Sequence, residues 1–327
     1  MPDNSEAATG ASQEHRRLLV IKLGALGDFI YALGPMQAIR RHHPEAEITL
    51  LTRSAYAELG ERSGLFDSVW TDREPKLFNL PAVLSLRARL TGAAFDRVYD
   101  LQTSDRTGFY YRLFWPGPKP EWSGIVPGCS HYHHYKRPTL THTQDRQRTQ
   151  LEIAGITDVR PSDLAFMDSE IRQFDLPENF ALLIPGSSLK MAIKRWPALS
   201  YGAIAQRLHK AGITPVLMGG KEDQDAIRII TETCPEARDL SGKTTLYDIP
   251  ALARAACITI GNDTGPMHMA ALSGCPTIAI FSTKSFPDKA APRGENVSLL
   301  VEENLNDLAA ESVWDEIEKK RRIQPKA

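Results

Sequence analysis

The chain has 327 residues, of which 42% are hydrophobic and 24% charged, and its formal net charge is −1. This length suits one or two globular domains with sizeable cores, and the near-neutral charge excludes a nucleic-acid binder that works by bulk positive charge. The four cysteines form no Cys-x-x-Cys pair, which favours reduced thiols in a cytoplasmic protein. No apolar run reaches bilayer length, and residues 1–15 lack a signal-peptide core, so a disordered tail is expected there.

The first half of the chain alternates strand-like and helix-like segments. Residues 18–21 form a short apolar run that predicts a buried strand, and residues 28–43 have helical spacing. Further strand-like runs lie at 48–51, 69–71 and 97–101, and helix-like stretches lie near 54–62 and 78–90. This alternation predicts a parallel sheet with crossover helices.

The turn between the first strand and the first helix presents Asp28. A dinucleotide fingerprint that ends at Gly27 needs glycine at position 22, which is Lys22, so the turn does not predict pyrophosphate binding. Asp28 lies where the carboxyl ends of parallel strands gather, and it is our candidate general base. The alternative is that it only caps the helix.

The second half begins after a polar boundary near residues 171–178. A predicted strand there runs into Ser187 and Ser188, whose hydroxyl and backbone N–H groups are suitable phosphate ligands. Lys194 adds positive charge to the same loop, and Lys190 is a rival for that role. The alternative for this loop is a charged helix start.

Residues 257–276 have the pattern of a strand, a tight turn and a helix. Asp263 or Thr264 can cap this helix, and Gly265 permits close approach to its free N–H groups and positive dipole end. Phosphate is the expected ligand, and His268 would lie one turn inside the helix as a further donor. The alternative is an ordinary capped helix.

Two further segments contain glycine next to polar residues. Gly219 and Gly220 follow a predicted strand and allow a flat base to lie against the backbone. Residues 241–244 suggest a P-loop, but position 237, where that loop requires glycine, is Ala237. No P-loop is therefore predicted. The remaining strand-like runs lie at 180–184, 215–218, 258–260 and 277–281.

Four stretches together resemble glycosyltransferase family 9, whose best-known members are the ADP-heptose:lipopolysaccharide heptosyltransferases. They occur in the order found in the family, and the resemblance covers roughly residues 18–285. The stretches are Leu23-Gly-Ala-Leu-Gly-Asp28, Pro185-Gly-Ser-Ser188 with Lys194-Arg-Trp-Pro197, Gly219-Gly-Lys-Glu222, and Gly261-Asn-Asp-Thr-Gly-Pro-Met-His-Met-Ala-Ala271.

The resemblance implies a GT-B-like α/β fold, with two doubly wound Rossmann-like domains facing a cleft. It implies an acceptor-binding domain over residues 16–174 and a nucleotide-sugar-binding domain over 175–327, with a terminal helix near 305–320 that packs back on the first domain. The implied enzyme is an inverting, metal-independent glycosyltransferase without a cofactor. Its donor would be an ADP-sugar, ADP-heptose in the best-known members.

The resemblance also implies roles for single residues on the donor side. The serines, the lysine and the helix start would stabilise the leaving diphosphate in place of a metal ion. An acid would contact the nucleotide ribose, and an aspartate with a histidine would orient sugar or phosphate. The implied donor ligands are Ser187, Ser188, Lys194, Glu222, Asp263, Thr264, Gly265 and His268.

On the acceptor side, Gln102 and Arg106 belong to a segment similar to one beside the acceptor in family 9, although Thr103 stands where glycine is usual. The implied acceptor is a glycolipid of lipopolysaccharide-core type, bound by a monomer without nucleic acid. The alternatives are a sugar-nucleotide epimerase of similar fold and a noncatalytic glycolipid-binding module, which would need no base at Asp28.

Residues 73–148 contain twelve Lys and Arg against six Asp and Glu. Such a region suits anionic headgroups at the inner face of the cytoplasmic membrane, and the alternative is a solvated face over core aromatic residues. His131, His133 and His134 lack the spacing of metal ligands and are expected to be solvated or to face the acceptor. The aromatic residues of the basic region 73–148 are Phe109, Tyr110, Tyr111, Phe114, Trp115 and Trp122.

Overall fold

A computed structural model describes residues 16–76, 78–134, 141–188 and 191–323. The predicted tail over residues 1–15 and the rival lysine Lys190 lie outside these residues. The described chain forms two units, each built on a six-stranded parallel sheet with helices packed on it.

The first unit comprises the strands and helices up to residue 153. Its strands are β1 (Arg17–Ile21), β2 (Glu47–Thr52), β3 (Ser68–Thr71), β4 (Arg97–Asp100), β5 (Glu121–Gly124) and β6 (His131–Tyr132). Its helices are α1 (Leu26–His42), α2 (Ser54–Arg62), α3 (Leu80–Gly92), α4 (Asp105–Arg112) and α5 (Thr143–Ile153). The strand order is β3-β2-β1-β4-β5-β6.

The second unit repeats this arrangement. Its strands are β7 (Phe180–Ile184), β8 (Thr214–Leu217), β9 (Arg238–Asp239), β10 (Ile258–Asn262), β11 (Thr277–Ser282) and β12 (Val297–Glu302). Its helices are α6 (Ala198–Lys210), α7 (Gln224–Thr233), α8 (Asp248–Ala255), α9 (Gly265–Leu272), α10 (Pro287–Ala290) and α11 (Ala310–Ile323). The strand order is β12-β11-β10-β7-β8-β9. All five residues of the central strand β7 are buried, as expected for a parallel strand covered on both faces.

Both sheets have the doubly wound order, which reverses between β1 and β4 in the first unit and between β7 and β10 in the second. The register places Ile21 beside Asp100 and Ile184 beside Gly261. Ligands of such sheets bind outside the carboxyl ends of the strands at these switch points. The loops after the four strands lead, in chain order, to Asp28, Gln102, Ser187 and Thr264.

The two units share a buried apolar cluster. It joins Phe29 and Met36 of α1 to Met267 of α9 and Leu182 of β7. The first unit therefore shares one continuous core with the second unit. The division at residues 174 and 175 stays a proposal, and it falls in the segment between α5 and β7 that has no strand in the described residues.

One sequence-based expectation differs from the structure, and one open alternative is decided by it. The terminal helix α11 buries Val313 and Ile317 against the core of the second unit, because it follows the edge strand β12 and lies beside α6, whereas the resemblance implied packing on the first domain. The aromatic residues after α3 follow the alternative of core aromatic residues, since Tyr110, Tyr111, Phe114 and Trp122 are buried, whereas Trp115 is exposed. Within the described ranges, none of the helices combines the length and hydrophobicity needed to cross a membrane.

The contact between α1 and α9 depends on Gly27. A Cβ atom at this position would lie 2.6 Å from the imidazole Cδ2 of His268, which is too close. Gly27→Ala is expected to lower the free energy of unfolding by about 1–3 kcal/mol, because the helices must separate. Gly92→Ala is the matched control, since a Cβ at this helical glycine meets nothing within 4 Å. Equal denaturant midpoints for the two variants would contradict this account of the interface.

Candidate active site

The starts of α1 and α9 meet between the two units. Gly27 lies against His268, and a Cβ at Gly265 would be 2.6 Å from Leu26, so each helix start touches the other through a glycine. The N-cap residues are Ala25 and Thr264, and neither makes a side-chain capping bond. Two positive helix ends with uncapped N–H groups therefore face one region.

This geometry corrects two capping alternatives. Asp28 is the third residue of α1 and does not occupy its N-cap, and neither Asp263 nor Thr264 caps α9 through its side chain. Thr264 instead lines a cavity. The carboxylate of Asp28 and the hydroxyl of Thr264 therefore remain for other interactions.

Two cavities lie beside these helix starts. The larger of the two lies at the switch point of the second sheet and has a volume of about 340 Å³, within the range of small-molecule sites. Its walls come from the loops after β7, β8 and β10, together with Leu26 of α1. Thr244 and Thr245, from the segment that does not form a P-loop, also contribute. Of the predicted donor residues, Ser187, Ser188, Glu222 and Thr264 line this cavity.

Lys194, Asp263, Gly265 and His268 are not in its walls but lie directly behind or beside them. Lys194 Nζ lies 2.6 Å from Asp263 Oδ2, and the two side chains are 19% and 7% exposed. The Ser187 hydroxyl donates to the Asp263 carbonyl oxygen at 2.9 Å. The serine loop, the lysine and the start of α9 are therefore connected in one polar network.

A buried asparagine, Asn262, holds these loops in place. Its Oδ1 accepts hydrogen bonds from the Trp196 backbone N–H at 3.1 Å and from the Tyr201 hydroxyl at 3.0 Å, and its Nδ2 donates to the Pro185 carbonyl oxygen. The sequence analysis gave this residue no role. Its position at the end of an apolar strand was the available signal, because a buried amide needs several partners.

Asp223 holds the other side of the larger cavity. Its Oδ1 accepts from Arg195 Nη2 at 2.9 Å, and its Oδ2 accepts from the Gly220 backbone N–H at 3.0 Å. A Cβ at Gly186 would collide with this carboxylate, so the glycine is required for the loop to pass. The sequence motifs contain Gly186, Arg195 and Gly220, but the Arg195–Asp223 pair that connects their loops was not predicted.

A second, smaller cavity of about 70 Å³ lies on the first unit, and Asp28 is in its wall. Lys22, Gln102, Arg146 and Gln147 contribute further polar groups. The Gln102 side chain also accepts a hydrogen bond from the Leu23 backbone N–H at 2.9 Å, which ties the loop after β4 to the loop before α1. Of the two predicted acceptor-side residues, Gln102 therefore lies beside Asp28.

Arg106 lies further along the same edge. Its guanidinium is 3.7 Å from the Glu74 carboxylate and 3.5 Å from the Pro75 carbonyl oxygen, so it contacts the β3–α3 loop and is not in the wall of the smaller cavity. Of the histidine cluster, His133 lines that cavity, whereas the ring of His134 packs against Tyr132. In the described ranges, no group of three or more His, Cys, Asp and Glu is placed to hold a metal ion.

Lys22 is a site residue that sequence reasoning missed. Its Nζ is buried and donates to the Leu101 carbonyl oxygen at 3.3 Å. Burial lowers the pKa of Lys22, while the nearby carboxylates of Asp28 and Asp100 oppose this change. A lysine directly after a buried apolar strand was the signal in the sequence.

His268 is buried between the two units. Burial lowers its pKa to about 4, against a smaller opposing effect of Asp28, so the imidazole is neutral near pH 7. Its ring packs edge-on against Tyr31 with centroids 4.7 Å apart, and its Nδ1 has no hydrogen-bond partner among the described residues. A neutral imidazole with an unused nitrogen fits a ligand contact at this position.

Two doubly wound units with a nucleotide-sized cavity on one and a carboxylate-bearing cavity on the other have the architecture of a GT-B-like fold. Comparison with known proteins gives the family. The model of glycosyltransferase family 9 (heptosyltransferase) matches residues 134–318, more than half of the chain. The chain belongs to this family and is a glycosyltransferase.

Individual relatives agree with this assignment over most of the chain. The lipopolysaccharide core heptosyltransferase OpsX of Haemophilus influenzae is 25% identical over 305 residues, which are 88% of this chain and 86% of that protein. A glycosyltransferase family 9 structure from Veillonella parvula is 21% identical, with a TM-score of 0.80 over 95% of this chain and 98% of that one. The structure of E. coli heptosyltransferase WaaC with ADP-2-deoxy-2-fluoro heptose is 18% identical, with a TM-score of 0.70 over 93% and 99% of the two chains. These two structures support the fold alone.

If Lys194 binds a donor phosphate, Lys194→Ala should weaken ADP-sugar binding about tenfold or more, because charge-assisted hydrogen bonds are lost. Calorimetric titration with the ADP-sugar measures this change. The substitution also leaves the buried Asp263 carboxylate without its 2.6 Å partner, which would lower stability.

The double variant Lys194→Ala/Asp263→Asn separates the two effects. It removes the uncompensated charge of Asp263, so its thermal midpoint should return towards that of the wild-type protein. Its affinity for the ADP-sugar should stay low. Unchanged affinity in both variants, with a loss in Lys190→Ala, would transfer the phosphate contact to Lys190.

Proposed function

We propose that the protein transfers a heptose from ADP-heptose to a sugar hydroxyl of a lipopolysaccharide-core acceptor, with inversion at the anomeric carbon. One observation carries this proposal. The first turn of α1 borders both cavities, since Leu26 lines the larger one and Asp28 lines the smaller one. A donor in the first and an acceptor in the second would meet at this turn.

The larger cavity supplies the donor contacts in this proposal. Ser187, Ser188 and the start of α9 at Thr264 and Gly265 would bind the diphosphate, and Glu222 would contact the ribose. The uncapped helix end favours the negative charge that develops on the leaving ADP. Lys194 would exchange its contact with Asp263 for the diphosphate. His268 and Asp263 would orient the sugar.

Asp28 would act as the general base in the transfer step. The acceptor hydroxyl oxygen attacks the anomeric carbon as the bond to the ADP oxygen breaks, and its proton passes to the Asp28 carboxylate. The products are the glycosylated acceptor and ADP. A single chain lines both cavities, so a monomer suffices for this mechanism.

The rival functions account for less of the site. A sugar-nucleotide epimerase needs the larger cavity but not a separate polar cavity beside a carboxylate. A noncatalytic glycolipid-binding module needs neither a nucleotide-sized cavity nor a base at Asp28. Assays of ADP-heptose consumption with and without acceptor distinguish the three, because only a transferase consumes the donor in proportion to glycosylated acceptor.

Asp28→Asn should reduce transfer by roughly 10²–10⁴-fold, the usual contribution of a general base. Binding of ADP-heptose should stay nearly unchanged, since Asp28 is not in the wall of the larger cavity. Turnover with acceptor and calorimetric donor affinity, measured on one preparation, test both statements.

Asp105→Asn is the matched control. Asp105 also lies in the first turn of a helix, α4, and is exposed. Each substitution removes a helix-dipole contribution of about 0.3–1 kcal/mol, so the two variants should have similar thermal midpoints. If the turnover of Asp28→Asn were within about threefold of the turnover of Asp105→Asn, Asp28 would not be the general base.

We also propose that the enzyme contacts the inner face of the cytoplasmic membrane through α3. Phe78, Leu80 and Leu84 are 98%, 65% and 59% exposed, and Trp115 is 72% exposed. Arg87 of α3 donates to the Trp115 carbonyl oxygen at 3.3 Å, and the spacing of Leu80, Leu84 and Arg87 places these three residues on one face of the helix. α3 contains no acidic residue, which suits an anionic lipid surface.

Leu80→Ser/Leu84→Ser should reduce co-sedimentation with phosphatidylglycerol vesicles about tenfold, because two apolar side chains no longer enter the lipid interface. The control is Leu199→Ser, which changes a leucine on α6 that is 68% exposed. Equal vesicle binding by the two variants would exclude α3 as the contact surface.

A further inference from the structure

A third cavity lies at the edge of the first sheet opposite to Asp28. It has a volume of about 480 Å³ and lies at the amino ends of β4 and β5, where Asp96 precedes β4 and Glu121 begins β5. The rest of its wall comes from the second half of α3 and from the loop before β5. The contacts proposed above for the donor and the acceptor do not involve this cavity.

Two carboxylates in its wall are fixed by neighbouring groups. Asp96 Oδ2 accepts from the Arg17 backbone N–H at 2.7 Å, and Glu121 Oε2 accepts from Arg97 Nε at 2.6 Å. A carboxylate has two oxygens and about four lone-pair sites, so both groups can accept further hydrogen bonds. This part of the wall suits a small cation with N–H donors.

Two cations line the same cavity. Arg87 Nη2 donates to the Trp115 carbonyl oxygen at 3.3 Å, and a guanidinium has five donors in all. Lys119 Nζ lies 4.4 Å from the centre of the Tyr111 ring, a cation–π contact that leaves N–H groups for an oxygen ligand. This part of the wall suits a phosphate.

An apolar floor connects these charged groups. Phe95 and Phe114 line the cavity and are 8% and 3% exposed. Such a floor suits a short hydrocarbon link between a phosphate and a cation. The volume of about 480 Å³ is in the range of small-molecule sites and exceeds what a single phosphate would fill.

The cavity lies in line with the exposed apolar side chains of α3. Leu80, Leu84, Arg87 and Thr91 follow one another at intervals of three or four residues and therefore form one stripe along the helix. The two leucines are exposed, whereas Arg87 and Thr91 line the cavity. Trp115, which is also exposed, lies beside Arg87. A lipid in a membrane that contacts these apolar side chains would have its headgroup next to the cavity.

We propose that this cavity binds the phosphoethanolamine headgroup of a membrane phospholipid. Arg87 and Lys119 donate to the phosphate, the ammonium group donates to Asp96 and Glu121, and the ethylene link packs on the apolar floor. A headgroup with a phosphate alone would leave both carboxylates facing an anion, and a trimethylammonium group has no N–H to donate to them. This inference rests on the membrane contact proposed for α3 and adds the class of lipid to it.

Soluble headgroups test the cavity without a membrane. The probes are glycerophosphoethanolamine, glycerophosphocholine and glycerophosphoglycerol, each titrated against the full-length protein and followed by NMR. The Kd for glycerophosphoethanolamine should be about tenfold or more below the other two, the usual contribution of one charge-assisted hydrogen bond. Equal affinities for the three probes, or no binding of any, overturn the proposal.

Asp96→Asn removes the negative charge and keeps an oxygen that can accept from the Arg17 backbone N–H. The control is Asp67→Asn, because Asp67 also precedes a strand and accepts from the Ile48 backbone N–H at 2.7 Å, but is not in the cavity wall. The preference for glycerophosphoethanolamine should disappear in Asp96→Asn and persist in Asp67→Asn. The same preference in both variants overturns the proposal.

Lys119→Gln gives a second variant in case Asp96→Asn folds poorly, since Lys119 is exposed. It should weaken binding of glycerophosphoethanolamine and glycerophosphoglycerol alike, about fivefold or more, because both probes carry the phosphate that Lys119 contacts. The control is Lys210→Gln, at an exposed lysine of α6. Unchanged affinity for both probes in Lys119→Gln overturns the proposal.

Vesicles test whether the headgroup belongs to a membrane lipid. At a constant fraction of phosphatidylglycerol, phosphatidylethanolamine in place of phosphatidylcholine should raise co-sedimentation about threefold or more, and Asp96→Asn should remove this increase. Vesicle binding without the increase overturns the proposal and retains the contact through α3. Binding of the soluble headgroup without binding to any vesicle removes that contact and overturns the lipid as its source. Heptose transfer enters none of these measurements, so failure of the proposed reaction is detected separately.

Discussion

The close contact between the starts of α1 and α9 is the constraint on which the site depends. It exists because Gly27 and Gly265 leave room for His268 and Leu26 of the facing unit. A methyl group at either glycine would push the two sheets apart. The first turn of α1 would then no longer border both cavities, and the donor loops and Asp28 would belong to separate surfaces.

Two positive helix ends that face one region repel each other unless negative charge lies between them. Each unit supplies an aspartate near its helix start, and each aspartate has a buried or nearly buried lysine close to it. Lys194 Nζ lies 2.6 Å from Asp263 Oδ2. The Asp28 carboxylate partly offsets the lowering of the Lys22 pKa by burial. In the proposed reaction, an incoming diphosphate would replace Asp263 as the partner of Lys194 and leave Asp28 untouched.

The sequence allowed the prediction of the central strands and of most loops at the switch points, because apolar β-branched runs and glycine-containing turns are local signals. The strand β7 has the predicted bounds, and the first helix begins two residues before the predicted start at residue 28. Lys22 and Asn262 could not be assigned roles, since their importance comes from partners that are far away in the chain. The strands β5 and β6 escaped prediction because β5 (Glu121–Gly124) has one apolar side chain and β6 has only two residues, so neither segment has an apolar pattern.

The rigid first turn of α1 also gives a physical reason for coupling between the two substrates. Leu26 and Asp28 are separated by one residue of a helix whose following turns are buried, so they cannot move independently. A donor that packs against Leu26 in the larger cavity therefore fixes the position of Asp28 at the smaller one. In the proposed reaction, donor binding would place the base before the acceptor arrives.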